Sequence, residues 1–414
     1  MHIDTRVARL DAAPGDPYRP TSTPIYQTAT FGQASASEFG QYDYSRSGNP
    51  TRTVLEAKLA DLEGGRSGFA LASGMAALSV MLRSVLAPSA GSKTQAGWLL
   101  VGADLYGGTT RLIEKLVAPL GVEVRSVDTT DLSATSAALD EPQGRRGRGL
   151  VLLETPSNPL LRITDLRAVA RLAKQAGALL AVDNTALSPY FQRPLEHGAD
   201  IVVHSGTKHL GGHGDVTAGV LVTKDKDIAE GIAFLQNAEG IALGPFESWL
   251  LLRGIKTLGV RVAQEARNAL EVALFLAQKL GTENVFYPGL ESHPGHRLQE
   301  SQASGFGQLI SFRAGDAASA KAICEATRLF TITVSFGSTN STISMPCRMS
   351  HASIPDEAIA AGRVAALPAD LVRLSIGLEN PRDLIRDLEA AMGELPVVVD
   401  KLGALDLGAV QGDG

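Results

Sequence analysis

The sequence predicts an α/β protein: a mainly parallel central sheet wrapped by helices, plus a smaller C-terminal α/β domain. Two observations carry this. From about residue 68 to 223, short apolar runs alternate with segments whose apolar residues recur at helical spacing, the rhythm of a helix-covered parallel sheet. At 414 residues the chain exceeds one ordinary core, so two domains are expected.

The buried strands are read, in order, as Phe69–Ala72, Trp98–Gly102, Val122–Val127, Gly149–Glu154, Ala178–Asp183 and Ile201–Ser205. Most are nearly continuous apolar runs, as strands covered on both faces must be. Met75–Leu86, Thr110–Ala118 and Leu166–Ala176 read as the helices between them, with Pro119 marking the end of the second. Pro88–Gly97 and Glu141–Gly149 read as surface loops, and the Gly-spaced arginines of the latter fit a solvated loop better than a binding patch. Phe246–Leu280, rich in Ala, Leu, Arg and Gln, reads as a long helical stretch that opens the second domain. The expected division is an extended N-terminal arm over 1–50, a large domain over 51–245 and a C-terminal domain over 246–414, with a frayed tail from Gly403. Arms with this Pro- and Thr-rich, aperiodic character commonly lie on a neighbouring subunit.

Composition narrows the function classes. Hydrophobic content of 44%, charged content of 20% and 43 glycines describe a soluble, loop-rich α/β chain rather than a disordered or fibrous one. A net charge of −6 gives no basic face for nucleic acid. Apolar runs such as Ala178–Val182 are far too short to cross a bilayer. Cys324 and Cys347 alone make neither a disulfide framework nor a zinc site, so no metal is expected and a reducing compartment is. The Asn340-Ser341-Thr342 triplet matches a glycosylation acceptor of a kind that arises often by chance. Met1–Arg6 has the character of neither a secretion signal nor a transit peptide.

Three elements could carry chemistry. The strand ending His204-Ser205 runs through Gly206-Thr207 into Lys208 and then into glycines. A lysine at a strand end inside a crevice is costly to bury as a cation, and its neutral amine is a nucleophile able to hold pyridoxal 5'-phosphate (PLP) covalently. Ser-x-x-Lys alone, a pattern that many proteins carry by chance, reads better as a surface lysine beside a turn. Twenty-five residues upstream, a second strand ends in Asp183, a carboxylate of the kind a PLP pyridinium nitrogen needs, or simply a loop cap. Finally, Ser73-Gly74-Met75 turns a strand into a helix whose first amides could bind phosphate, although most capped helices hold no ligand. No Gly-rich dinucleotide or nucleoside-triphosphate motif competes with these.

The combination is more specific than its parts. Tyr42–Thr51, Ser73–Met75, Tyr106–Thr109, Glu154–Pro159, Val182–Thr185, His204–Lys208 and Val372–Gly377 occur in an order that resembles the Cys/Met-metabolism family of fold-type I PLP-dependent enzymes, over about residues 20–392. The resemblance implies that Lys208 carries the cofactor and that Asp183 partners its ring nitrogen. It likewise implies a phosphate cradle of Gly74, Met75, Ser205 and Thr207, with Tyr106 stacked on the ring. Tyr44 and Arg46 would reach the phosphate of the adjacent subunit, making the active unit a dimer, and the resemblance implies that the assembly is a homotetramer. Arg373 would clamp the substrate carboxylate, assisted by Ser335 and Asn158.

Within the family, Val334–Pro355, Pro24–Phe31, Phe234–Gly240 and Leu252–Thr257 resemble the plant-type β-lyase branch. Asn340 stands where many γ-acting members carry Glu, and Gly108 where methionine γ-lyases tend to carry Cys; Asn340 and Arg348 also depart from the plant-type pattern. The implied substrate is L-cystathionine, cleaved on the β side within methionine biosynthesis and transsulfuration, with Tyr106 or Tyr44 acting as a base and Lys208 as the proton shuttle. γ-Elimination or γ-synthesis, cysteine or cystine C–S lysis, and a non-catalytic PLP-binding regulator are the competing readings. The implied compartment is the cytoplasm, or the plastid stroma if a transit peptide has been removed.

Overall fold

The computed structural model describes residues 1–9, 11, 16, 18–87, 96–140, 147–349 and 366–393. Most of the two loops expected over 88–97 and 141–149, the tail from Gly403 and the end of the Val334–Pro355 segment lie outside these residues.

A seven-stranded sheet runs β1 (Ser67–Leu71), β2 (Trp98–Gly102), β3 (Glu123–Val127), β4 (Gly149–Glu154), β5 (Ala178–Asp183), β6 (Ile201–Ser205) and β7 (Gly219–Thr223), in the spatial order β1-β7-β6-β5-β4-β2-β3. The pairs β3/β2, β2/β4, β4/β5 and β5/β6 are parallel, while β7 runs antiparallel to both β6 and β1. The six expected strands are present with ends shifted by at most two residues. β7 is an addition: Val220-Leu221-Val222 follows a glycine-rich loop with no intervening helix, so it returns beside β6 as an antiparallel neighbour instead of continuing the crossover rhythm.

Side chains alternate between two apolar layers. On one face Leu152, Ala181, Val203 and Leu221 pack with Val80 and Met81 of helix Gly74–Leu86; on the other Leu153, Val182, Val202 and Val222 pack with Leu55, Leu59 and Leu62 of helix Pro50–Glu63. The expected helix over 110–118 begins earlier, as Gly107–Leu112, and passes through a π turn over Ile113–Val117 into a 3₁₀ turn that contains Pro119. The stretch expected over 246–280 is two helices, Pro245–Ile255 and Leu258–Leu280, broken at Lys256–Thr257.

A second sheet contains β8 (Val285–Phe286), β9 (Leu309–Arg313), β10 (Thr331–Ile332), β11 (Thr342–Ser344) and β12 (Leu371–Ser375), in the order β10-β11-β12-β9-β8. Its own apolar layer joins Ile310, Phe312, Val372 and Leu374 to Val272 and Leu276 of the long helix. At the N-terminus, helix Ile3–Ala8 packs on the same chain: Val7 is in the core, and Asp11 meets the buried Lys58 amine at 3.1 Å. Among the described residues no helix is long and apolar enough to cross a membrane.

Candidate active site

The parallel strands present their C-terminal ends on one edge, and period-2 alternation puts Glu154, Asp183 and Ser205 on the face shared with helix Gly74–Leu86. Lys208 lies just beyond β6, its amide bonded back to the Ser205 carbonyl at 3.2 Å. Its amine donates to Ser335 Oγ and sits 5.2 Å from the centre of the Phe336 ring. Burial, reinforced by the Arg373 charge and opposed by Asp183, lowers its pKa to about 8. That favours the neutral nucleophile.

Asp183 is held by its own turn. Its Oδ1 accepts from the Thr185 amide at 3.0 Å and the Thr185 hydroxyl at 2.5 Å, and the same hydroxyl accepts from the Ser205 amide at 2.9 Å. Burial raises the pKa of Asp183, while the Thr185 donors, His204 and Lys208 work the other way. Thr185 thus ties the carboxylate strand to the lysine strand.

The start of helix Gly74–Leu86 lies against the end of β6. A Cβ on Gly74 would come within 2.9 Å of Ser205 Cβ, and one on Gly219 within 1.9 Å of the Ser73 carbonyl oxygen. Ser73 caps the helix by accepting from the Ala76 amide at 3.1 Å, and its carbonyl accepts from Ala77. Among the described residues the Gly74 and Met75 amides and the Ser205 hydroxyl have no partner. Thr207 Oγ1 accepts from the Ala218 amide at 3.0 Å. Free amides at a helix start fit a phosphate.

Arg373 projects from β12, the central strand of its sheet, and is buried. Its guanidinium donates to Asn158 Oδ1 at 2.9 Å and to the Ser335 carbonyl at 2.7 Å, leaving Nε without a partner among the described residues. Burial lowers its pKa to about 10. An anchored fork with a free buried donor fits a carboxylate. The Tyr106 amide donates to Glu154 Oε2 at 3.0 Å, and its ring edge would lie 2.4 Å from a Cβ on Gly108, next to the Met75 sulfur. The site residues so far form one cluster.

Tyr44 and Arg46 are placed differently. Arg46 lies 5.2 Å over the Tyr44 ring and donates from Nε to Asn237 at 3.2 Å, on an exposed stretch of the N-terminal segment. The chain's own fold joins them to each other and to helix Lys226–Ala238. Conversely, Phe336, Glu154 and Thr185 were not singled out from sequence. Thr185 had a readable signal, since Asp-x-Thr is a turn-forming spacing. Phe336 had none, because it reaches Lys208 only through the second sheet's loop.

These groups fit pyridoxal 5'-phosphate: a half-buried amine of lowered pKa, a carboxylate on the adjacent strand and free helix-start amides. Comparison with known proteins agrees. A family model described as Cys/Met metabolism PLP-dependent enzyme matches residues 4–393. A chloroplastic cystathionine beta-lyase of Arabidopsis thaliana is 47% identical over 395 residues, 95% of this chain and 82% of the relative. A cystathionine gamma-lyase of Bacillus subtilis is 44% identical over 90% of this chain and 94% of its own length. Among solved structures, cystathionine gamma synthase from Xanthomonas oryzae pv. oryzae, in complex with aminoacrylate and cysteine, superposes with a TM-score of 0.87 at 39% identity, covering 95% of this chain and 98% of that one.

Proposed function

The chain belongs to the Cys/Met metabolism PLP-dependent enzyme family, and we propose that it is a cystathionine β-lyase, converting L-cystathionine and water to L-homocysteine, pyruvate and ammonia. The observation that carries the reading is the convergence of the Lys208 amine and the Arg373 fork on Ser335, which lets one group hold a substrate carboxylate while the other works at the adjacent Cα. The choice of the β side follows the 47% identity to a plant β-lyase.

Bound PLP supplies an electron sink for the pair left when the Cα–H bond breaks. Each residue's proposed part follows from its place. Arg373, braced by Asn158 and Ser335, binds the α-carboxylate. The Gly74 and Met75 amides with the Ser205 and Thr207 hydroxyls hold the phosphate, and Asp183 keeps a proton on the ring nitrogen. Tyr106 stacks on the ring, and Tyr106 or Tyr44 takes a proton from the substrate ammonium. Lys208 Nζ then accepts the Cα proton and returns one to the departing sulfur as the Cβ–S bond breaks. The three-carbon remainder takes up water and leaves as pyruvate and ammonia.

The proposed active unit is a dimer, with Tyr44 and Arg46 serving the neighbouring subunit's phosphate site, and dimers pair into a tetramer. The division at 1–50, 51–245 and 246–414 belongs to the same reading, as do a role in methionine biosynthesis and transsulfuration and a cytoplasmic or stromal location. Identifying the oxo-acid released from L-cystathionine tests the reaction. Pyruvate is expected; 2-oxobutyrate would make the chain a γ-lyase, and no turnover of any sulfur amino acid would leave a PLP-binding regulator.

A further inference from the structure

Behind the site, on the opposite face of the sheet, a buried polar network joins the ends of three strands to one carboxylate. Glu63 closes helix Pro50–Glu63 and is 1% exposed. Its Oε1 lies 2.5 Å from His204 Nε2 and accepts from Asn184 Nδ2 at 3.0 Å. Asn184 Nδ2 also donates to the Gln192 carbonyl at 2.7 Å, and Gln192 Nε2 donates to Asn184 Oδ1 at 3.1 Å and to the Thr155 carbonyl at 2.9 Å. Thr155 follows β4, Asn184 follows Asp183 at the end of β5, and His204 precedes Ser205 on β6.

Burying this set is expensive. Among the described residues Glu63 Oε2 and Gln192 Oε1 have no partner, whereas apolar side chains of the same volume would pack there at less cost. The arrangement holds geometry and charge instead. It fixes the residues flanking Asp183 and Ser205 from below, and His204 favours the ionised form of Asp183 alongside Lys208.

We propose that Glu63 and His204 are positioning residues for the cofactor: without touching it, they set the spacing of Asp183 and Lys208 and keep the Asp183 carboxylate charged. This rests on the reading of Asp183 and Lys208 as cofactor-binding groups.

The experiment compares Glu63→Gln, His204→Gln and His204→Leu with Asp183→Asn as the reference. Three quantities are read: PLP affinity on reconstituting the apoprotein, the pH midpoint of the holoenzyme's visible band, and kcat against KM. Glu63→Gln and His204→Leu should weaken PLP binding about tenfold, the scale seen for the outer-shell partners of metal ligands, and lower kcat about as much with KM nearly unchanged. The band midpoint should move in the same direction as in Asp183→Asn. His204→Gln, which keeps a donor toward Glu63, should recover part of the affinity but not the band midpoint. If Glu63→Gln does not fold, the two His204 variants decide the matter. A lower unfolding midpoint with unchanged PLP affinity and band midpoint would reduce the pair to a structural role. An Asp183→Asn enzyme with an unmoved band would instead overturn the cofactor reading itself.

Discussion

Glu154 and Asp183 are register partners at the ends of adjacent parallel strands, two half-buried carboxyl groups side by side. Burial raises both, but the neighbours divide them: Glu154 goes well above the usual carboxylate range and is raised further by Asp183, whereas the Thr185 donors, His204 and Lys208 support the Asp183 anion. The shared proton therefore resides on Glu154 and the charge on Asp183. Glu154→Gln should keep PLP and hold kcat within a few-fold of the parent, while Asp183→Asn should lower kcat by roughly 10²-fold or more. Equal losses in steady-state assays would show the assignment to be reversed. The pH dependence has a definite sign. Because the folded value of Glu154 lies above the unfolded one near 4.5, its contribution to stability is full below that pH and is lost as pH rises toward the folded value. Urea midpoints of the apoprotein should accordingly fall less with pH in Glu154→Gln.

Arg373 uses two of its donors on Asn158 and the Ser335 carbonyl before any ligand arrives. A lysine cannot hold both and still offer a planar pair to a carboxylate. Arg373→Lys should remove about 2–3 kcal/mol from kcat/KM, mostly through KM. A variant whose KM for cystathionine equals the parent's would place carboxylate recognition elsewhere.

Much of this was legible in the sequence because it is local. The strands ending at Glu154, Asp183 and Ser205 are contiguous apolar runs, and Ser73 announces its helix by capping chemistry. The contacts of Lys208 with Ser335 and Phe336 join residues more than a hundred positions apart, so no spacing rule marks Phe336. Strand–helix alternation does not mark β7, because its antiparallel return beside β6 breaks that rhythm. Glu63 reads as an ordinary residue near a helix end, and only the tertiary fold brings it to His204.

Gly219 is the position where β7 crosses the Ser73 carbonyl. A methyl group there would lie 1.9 Å from that oxygen and 2.5 Å from its carbon, backbone atoms that cannot turn away. Gly219→Ala should cost about 2–4 kcal/mol and displace the helix start that carries the Gly74 and Met75 amides. Calorimetry of the apoprotein and PLP titration should both register the change. An alanine variant matching the parent in both would mean that β7 and the helix can separate freely.

Glu265 offers the clearest pH test away from the site. It is fully buried in helix Leu258–Leu280, and among the described residues neither carboxyl oxygen has a hydrogen-bond partner; His209 Nδ1 is 3.8 Å away. Arg261, one turn earlier, donates from Nη2 to the carbonyls of His209 and Gly254 and from Nε to Thr257, while its Nη1 has no partner among the described residues. Burial raises Glu265 to about 8, partly countered by Arg261 and increased again by Glu379, so the acid is neutral at physiological pH. Burial likewise pushes His209 down to about 3, leaving an uncharged ring beside it. With a folded value above the unfolded 4.5, the stability linked to Glu265 is complete below about pH 4.5 and drains away as pH rises through about 8. Glu265→Gln keeps the shape without the proton to lose. Its stability relative to the parent should climb between about pH 5 and 8 by an amount on the order of a few kcal/mol and then level off. Denaturant midpoints of both proteins across that window would settle it, since a constant difference requires Glu265 to be ionised in the native state throughout.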